Sequence, residues 1–564
     1  MDIVPESLQK IIAEHEEALA AYFGEQVFAQ LVKRNGKHLL VMLAKHLDLR
    51  EIESDCRSYH HESGPGRPAE HRVGQMVRAL LVGWLYGHSL RALEERLNTD
   101  LLVRWYVGYG LFECTPDHAT LGRFEYWVLS HHRRVYFDSV LRQIYTMNPE
   151  QRQQAQIGDT FAMQANAARM GPVVLWRQLS KRVLEAALDE LVDVGSIVSG
   201  LSWVNLFGPP QEKHPARMTA AEKQERFQQV VLAAQDLLLR FQKALAGCAA
   251  TQGVALRQAL AYLEKALQDE ALIEAEVVTP RRPKGSFCLG SATDPQATFR
   301  IHGERDAEEN PTLGYNPQVA ATIDGLITET QAHPGALPDQ ATIVELIREQ
   351  KIHQGYCPPK LIYDAAGGFG KVRQAVEQAS AGQTIVSAPL PDYAQRNARF
   401  GPYDFSLSPD GRTLTCPNGQ STQVAFPSTR GDGRKFRFVP RLCWQGKPPA
   451  QMQTADLSLR CPLWEQCRDR KQGPRTLRQV FISDYRSQVE AAQAYNKSVA
   501  YQLDHKLRQR VERVIAELVR YNGARRCRRI GLIAADWQAK MSATAYNLKW
   551  WIRRLTRAQA LSPP

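Results

Sequence analysis

Two stretches decide the fold: QAQIGDTFAMQAN at 154–166 and KLIYDAAGG at 360–368. Each reads as a strand carrying one acid. Asp159 lies inside an otherwise apolar run, between Ile157 and Phe161. Taking a carboxylate out of water there is costly unless a cation or hydrogen bonds compensate it. Asp364 ends a short apolar strand, and Gly367-Gly368 lets the chain turn sharply beyond it. Ligands gather at such strand ends in α/β sheets. Taken singly, either acid reads as a turn or cap residue more readily than as a catalytic one. On neighbouring strands the pair would suit a hard divalent cation, Mg²⁺ or Mn²⁺.

Outward from these strands, GYNPQVAATIDGLITETQAH (314–333) predicts a hairpin turning at Asp324-Gly325. A helix over 339–351 leads into the second acid strand, and a helix over 369–380 leads to the strand QTIVSAP. Three strands followed by alternating helix and strand predict a mixed α/β sheet. Residues 172–275 interrupt it with helical text such as FQQVVLAAQDLLLRFQKAL. Residues 395–475 interrupt it again with Pro, Gly, Arg and four cysteines. The first 150 residues are helical in pattern: VGQMVRALLVGWLYGHSLRALEERL (73–97) predicts two helices joined at Gly87-His88-Ser89, and a third starts after Thr115-Pro116-Asp117. Such short helices suit a helix-turn-helix-like module or a bundle that only packs.

A third acid is expected from the tail. HKLRQRVERVIAELVRYNG (505–523) reads as one helix with Gly523 at its C-cap and an apolar line of Leu507, Val511, Val514 and Leu518. Glu512 shares a row with Ile515 and Val519 and is expected to lean inward; Glu517 shares one with Arg510, Arg513 and Arg520 and is expected to face water. The alternative for Glu512 is an ion pair with Arg508.

The charge balance is basic, with 71 Lys+Arg against 59 Asp+Glu, a net +12 and a pI of 9.2. Polyanions are natural partners of such a surface. No apolar run is long enough to span a membrane. The opening MDIVPESLQKIIAEHEE is an acidic amphipathic helix, so no secretion signal is expected. Ten unevenly placed cysteines fit a reducing cytoplasm with free thiols or a metal site. Among them Cys416, Cys443, Cys461 and Cys467 could build a tetrahedral Zn²⁺ site or remain unligated thiols.

Together these residues resemble the DDE transposases of bacterial insertion sequences. GRPAEHRVGQMVRALLVGWLYGHSLRALEERL with PDHATLGRFE is similar to the family's N-terminal domain. GDTFAMQANA and VVLWRQLSKRV are similar to its first-acid segment, and GYNPQVAATID with LIYDAAGG to its second. RQRVERVIAELVRYNGARRCRRIGL and SATAYNLKWWIRRL resemble the third-acid helix and the C-terminal end. His505 and Val519 stand where many relatives carry Tyr and Lys.

The resemblance implies an RNase H-like α/β core, a mixed sheet flanked by helices, divided by insertions. The expected parts are an all-α N-terminal DNA-binding domain (1–150), the core in segments 151–168, 286–394 and 479–564, a helical insertion (169–285) and a cysteine-containing insertion (395–478). It implies Asp159, Asp364 and Glu512 holding two Mg²⁺ or Mn²⁺ ions. The partners would be double-stranded DNA, as terminal inverted repeats and target, in a homodimer with no membrane. Arg67, Arg72, Arg91 and Arg96 are the candidates for end recognition. Arg508, Arg525, Arg526, Arg528 and Arg529 are those for backbone contact beside the acids. Two other readings are a transposase-derived DNA-binding protein that no longer cuts, and an RNase H-like nuclease that cuts without joining.

Overall fold

The structure is a computed structural model of the 564-residue chain. It describes residues 6–60, 70–190, 193–249, 251–274, 277–281, 287–301, 311–390, 400–429, 432–445, 448–451, 456–468 and 473–561.

Its centre is a five-stranded sheet of β1 (Gln156–Thr160), β2 (Gln318–Thr322), β3 (Ile327–Gln331), β4 (Lys360–Ile362) and β5 (Ile385–Ser387), in the order β5-β4-β1-β2-β3. The β1–β2 and β2–β3 pairs are antiparallel, and β4 and β5 are added in parallel. The connections explain this. Antiparallel β2 and β3 need only a tight turn, in which Gly325 takes φ +94° and donates its N–H to the Thr322 carbonyl at 2.8 Å. The parallel strands need crossovers, supplied by the helices Ile343–Gln354 and Gly370–Ala379. All five residues of β2 are buried, as suits a strand covered on both faces.

Beyond β3 lies the C-terminal helix Leu532–Leu561, whose residues 534–548 are buried on every side. Its polar side chains there are occupied by backbone. Asn547 donates to the Ile327 carbonyl at 2.8 Å and accepts from the Ile327 N–H at 2.9 Å. Lys540 donates to the Thr330 carbonyl and to Asp536, which accepts from the Ala332 N–H. The helix thus satisfies groups along the last strand, which would otherwise be an open edge.

The N-terminal helices share one apolar core with the sheet and the C-terminal helix, including Leu80, Trp84, Phe124, Tyr136, Ile157 and Trp551. Val73–Leu85 and Leu90–Thr99 meet at Gly87-His88-Ser89, and Ser89 accepts from the Ala92 N–H. Asp117 caps His118–His131 through the Thr120 N–H. Arg134, in the loop before Val135–Met147, joins Asp138 to Glu329 of β3 at 2.8 Å and Glu349 at 3.2 Å.

Two insertions have cores of their own. The first is helical, chiefly Pro172–Glu190, Ala220–Leu245 and Val254–Glu270, packed around Trp176, Phe227 and Phe241. The sequence extends its last helix to 275, but the chain turns at Glu270 into the hairpin Ala271–Glu274 and Val277–Pro280. The second builds two small three-stranded sheets over Phe405, Leu414, Phe436, Phe438, Val480 and Ile482. The tail expected as one helix over 505–523 is two, Val499–Arg508 and Arg510–Tyr521, broken at Gln509.

Candidate active site

The parallel pairing of β1 with β4 matches Gln156 with Leu361 and Ile157 with Ile362. Continuing that register brings Asp159 level with Asp364. Gly158 permits the approach: a Cβ there would stand 2.7 Å from Cε2 of Tyr363, the buried residue before the second acid. Tyr363 is held by Gln318 of β2, whose amide donates to its hydroxyl at 2.9 Å.

Asp159 accepts the Thr160 N–H at 2.8 Å, and its other oxygen stands 3.8 Å from the Arg508 guanidinium. Its carboxyl is pushed up to about 6, above all by burial, with the charges of Asp364 and Asp339 adding to the rise against Thr160 and Arg508. Asp364 caps the short turn Ala365–Gly368, accepting the Ala366 N–H at 2.9 Å. Asp339 is the member that sequence reasoning missed. It opens the turn Asp339–Ala341, which packs against the turn capped by Asp364, and it accepts from the Asn316 amide at 2.8 Å. In the sequence its Pro-Asp context reads as an ordinary helix cap, and the only signal was its place after the hairpin.

Glu512 lies in the first turn of Arg510–Tyr521, a helix packed on β1 and β2. The apolar line was read correctly, with Val511, Val514 and Leu518 buried. The inward lean expected of Glu512 is not found: it is exposed and makes no hydrogen bond or ion pair with a described residue. Arg508 pairs with Asp159 instead. Glu517, expected to face water, is half-buried and pairs with Arg553 at 3.2 Å. The rows themselves explain this: Ile515 and Val519, which share a row with Glu512, are only half-buried, so that row lies at the rim of the buried face and not within it. Among the described residues no three acidic, histidine or cysteine side chains stand at the spacing of ligands around one ion. The oxygen-donor set itself, with a carboxyl raised first by burial and then by neighbouring acids, suits a hard divalent cation.

Of the arginines, Arg67 lies outside the described residues. Arg72, Arg91 and Arg96 are exposed around the helices 73–85 and 90–99. Residues 525–527 run beside Gln164, just past β1: Gln164 donates to the Arg525 carbonyl and Cys527 to the Gln164 carbonyl. Arg525 and Arg526 are exposed there. Arg528 and Arg529 need correction as backbone-contact candidates. Arg528 lies 4.0 Å over the Trp84 ring and donates to the His88 carbonyl. Arg529 pairs with buried Glu125 at 2.7 Å and donates to the Gly122 carbonyl. Both guanidiniums fasten the tail to the N-terminal helices.

Cys416, Cys443, Cys461 and Cys467 line one cavity of the second insertion. Burial pushes the Cys461 and Cys467 thiols up, and neighbouring cysteines add to the rise in each.

Residues 28–126 match the family described as Transposase domain (DUF772), and residues 415–552 match that described as Transposase DDE domain. Two transposase-domain matches in this order support an insertion-sequence DDE transposase. The second match contains Glu512 and the four clustered cysteines, whereas Asp159 and Asp364 lie outside both. No curated protein and no solved structure matches the chain. Among the described residues no helix is long and apolar enough to cross a membrane.

Proposed function

We propose that this transposase cuts DNA at transposon ends and joins them to target DNA through Asp159, Asp364 and Glu512, on an RNase H-like core. The observation that carries the reading is that Asp159 on β1 and Asp364, two residues past the end of the adjacent parallel β4, are close enough for the charge of Asp364 to raise the Asp159 carboxyl. The sheet order, with antiparallel β1–β3 and parallel β4 and β5, supports the fold assignment. Two Mg²⁺ or Mn²⁺ ions bound there would lower the pKa of an attacking water or 3′-hydroxyl and stabilise the leaving oxygen.

The chain's own residues supply the rest. Asp159 is fixed by the Thr160 N–H and Asp364 by the Ala366 N–H, so each keeps one carboxylate oxygen oriented by backbone. Glu512, without a partner among the described residues, is available to complete the set from the facing helix. Arg508 offsets negative charge beside Asp159 until a cation takes that role. Exposed Arg525 and Arg526, just past β1, supply phosphate contacts that position the duplex without reading its sequence. Recognition of the ends falls to the N-terminal helices, with Arg91 and Arg96 the leading contacts.

The test uses pure protein, Mg²⁺ or Mn²⁺, and DNA bearing the inverted repeats that flank the gene. Cleavage at those ends is expected from the wild type. Asp159→Ala and Asp364→Ala should bind the same DNA and leave it whole; normal cleavage by either variant refutes the site. Specific binding without cleavage by the wild type would instead favour a transposase-derived protein that only binds.

A further inference from the structure

We propose that the second insertion is a zinc module, its ion held by Cys416, Cys443, Cys461 and Cys467. Nothing in this depends on whether the carboxylate site cuts DNA.

The four cysteines come from three separate loops yet border one cavity of about 30 Å³, room for a single ion or a couple of waters. Each is presented by a tight local structure. Cys416-Pro417-Asn418-Gly419 is a closed turn, in which Gly419 at φ +77° donates to the Cys416 carbonyl at 2.8 Å and Cys416 donates to the Gln420 carbonyl at 2.8 Å. Cys443 ends the turn that begins at Pro440, and the Cys461 N–H donates to its carbonyl at 2.9 Å, tying the second loop to the third. Cys467 ends the short helix Trp464–Cys467. All four are free thiols in the structure.

The charges around the cavity point the same way. Arg468 is 2% exposed, and no described carboxylate pairs with it. It is held by the Thr476 carbonyl and stacked 4.6 Å over Trp464, and it donates to Cys443 Sγ at 3.2 Å. Arg478 also borders the cavity and donates to the Phe400 carbonyl at 2.7 Å. A buried guanidinium without an anion is expensive. Four thiolates around Zn²⁺ carry a net double negative charge, which two guanidiniums balance. Neutral thiols would leave Arg468 and Arg478 without an anion among the described residues.

Size supplies a further reason. Among the described residues the module's apolar cluster holds six buried side chains, the scale at which small folds rely on a disulfide or a metal. Soft thiolates select zinc over the hard cations suited to the carboxylate site. Binding would require the thiols to turn into the cavity, since no three described side chains yet stand at ligand spacing, and it would release their protons.

The experiment is elemental analysis of the full chain purified without added metal or chelator, followed by exchange with Co²⁺. One zinc per chain is expected, and the cobalt form should show thiolate charge-transfer and tetrahedral ligand-field bands. Cys461→Ser and Cys467→Ser should lose the metal, and Cys114→Ser, at an exposed position elsewhere, should keep it. If those serine variants do not fold, wild-type stoichiometry and the cobalt spectrum still decide. Zinc-free protein that takes up no Zn²⁺ under reducing conditions overturns the proposal, as does iron or a disulfide at these cysteines.

Discussion

With its carboxyl pushed up to about 6, Asp159 is ionised at neutral pH against the preference of its surroundings. Its folded pKa is above the unfolded value, so the stability contributed by its protonated form is present at low pH and lost as pH rises through 6. Asp159→Asn should therefore raise the melting temperature of metal-free protein at pH 8, by the equivalent of up to about 3 kcal/mol. The gain should shrink as pH falls towards 4. Mg²⁺ should raise the melting temperature of the wild type more than that of the variant. A variant that melts lower than wild type at pH 8 without metal would show that the carboxylate is satisfied by protein groups alone. The two tail acids make a second test at this scale. Glu512→Gln should reduce cleavage by ~10³-fold, about 4 kcal/mol of barrier. Glu517→Gln, at a residue paired with Arg553, should change cleavage less than tenfold. Rates of end cleavage under saturating Mg²⁺ separate them, and the reverse ranking would exchange their roles.

Among the elements, the β1–β4 pair is the one on which the site depends, and Gly158 is its weak point. Gly158→Ala drives a methyl into the ring of Tyr363, an overpacking expected to cost roughly 1–3 kcal/mol. It should lower both the melting temperature and the cleavage rate, as measured by thermal denaturation and end cleavage; unchanged values for both would show that the strands have room to move apart. The acid strands were legible because each combines apolar residues with one unexplained carboxylate. The hairpin was legible from Asp324-Gly325, and two helix starts from the caps Ser89 and Asp117. The helix Leu101–Val107 was not, being too short for its period to show, though Asp100 caps it. Nor was the break at Gln509, where the backbone stays near helical, with φ −59° and ψ −17°, and the sequence carries no Gly or Pro. Glu512 stands exposed for a different reason: its row-mates Ile515 and Val519 lie beyond the break with it and are themselves only half-buried, so the row marks the rim of the buried face.

At the scale of the molecule, the N-terminal helices, the sheet and the C-terminal helix form one body around a shared core. This was the least legible feature. The polar residues of the C-terminal helix, Asp536, Lys540 and Asn547, suggest a surface helix, yet they are buried because they serve the backbone of β3. The arginine run likewise reads as a DNA-facing charge cluster, and only the fold separates exposed Arg525 and Arg526 from Arg528 and Arg529. Arg529→Ala would leave buried Glu125 without its cation. The expected loss is roughly 1–3 kcal/mol, below the range for a fully buried pair because Arg529 remains partly exposed. Urea unfolding checks this, and unchanged stability would show that the pair does not hold the tail to the N-terminal helices. In the function proposed above, one carboxylate site both cuts and joins. Its most direct test is strand transfer: a pre-cut transposon end with a free 3′-hydroxyl is incubated with supercoiled target, Mg²⁺ and protein. Joined product from the wild type and none from Asp364→Asn is the predicted result. Cleavage of intact ends by the wild type with no joined product under any divalent metal would contradict the claim and make the enzyme a nuclease.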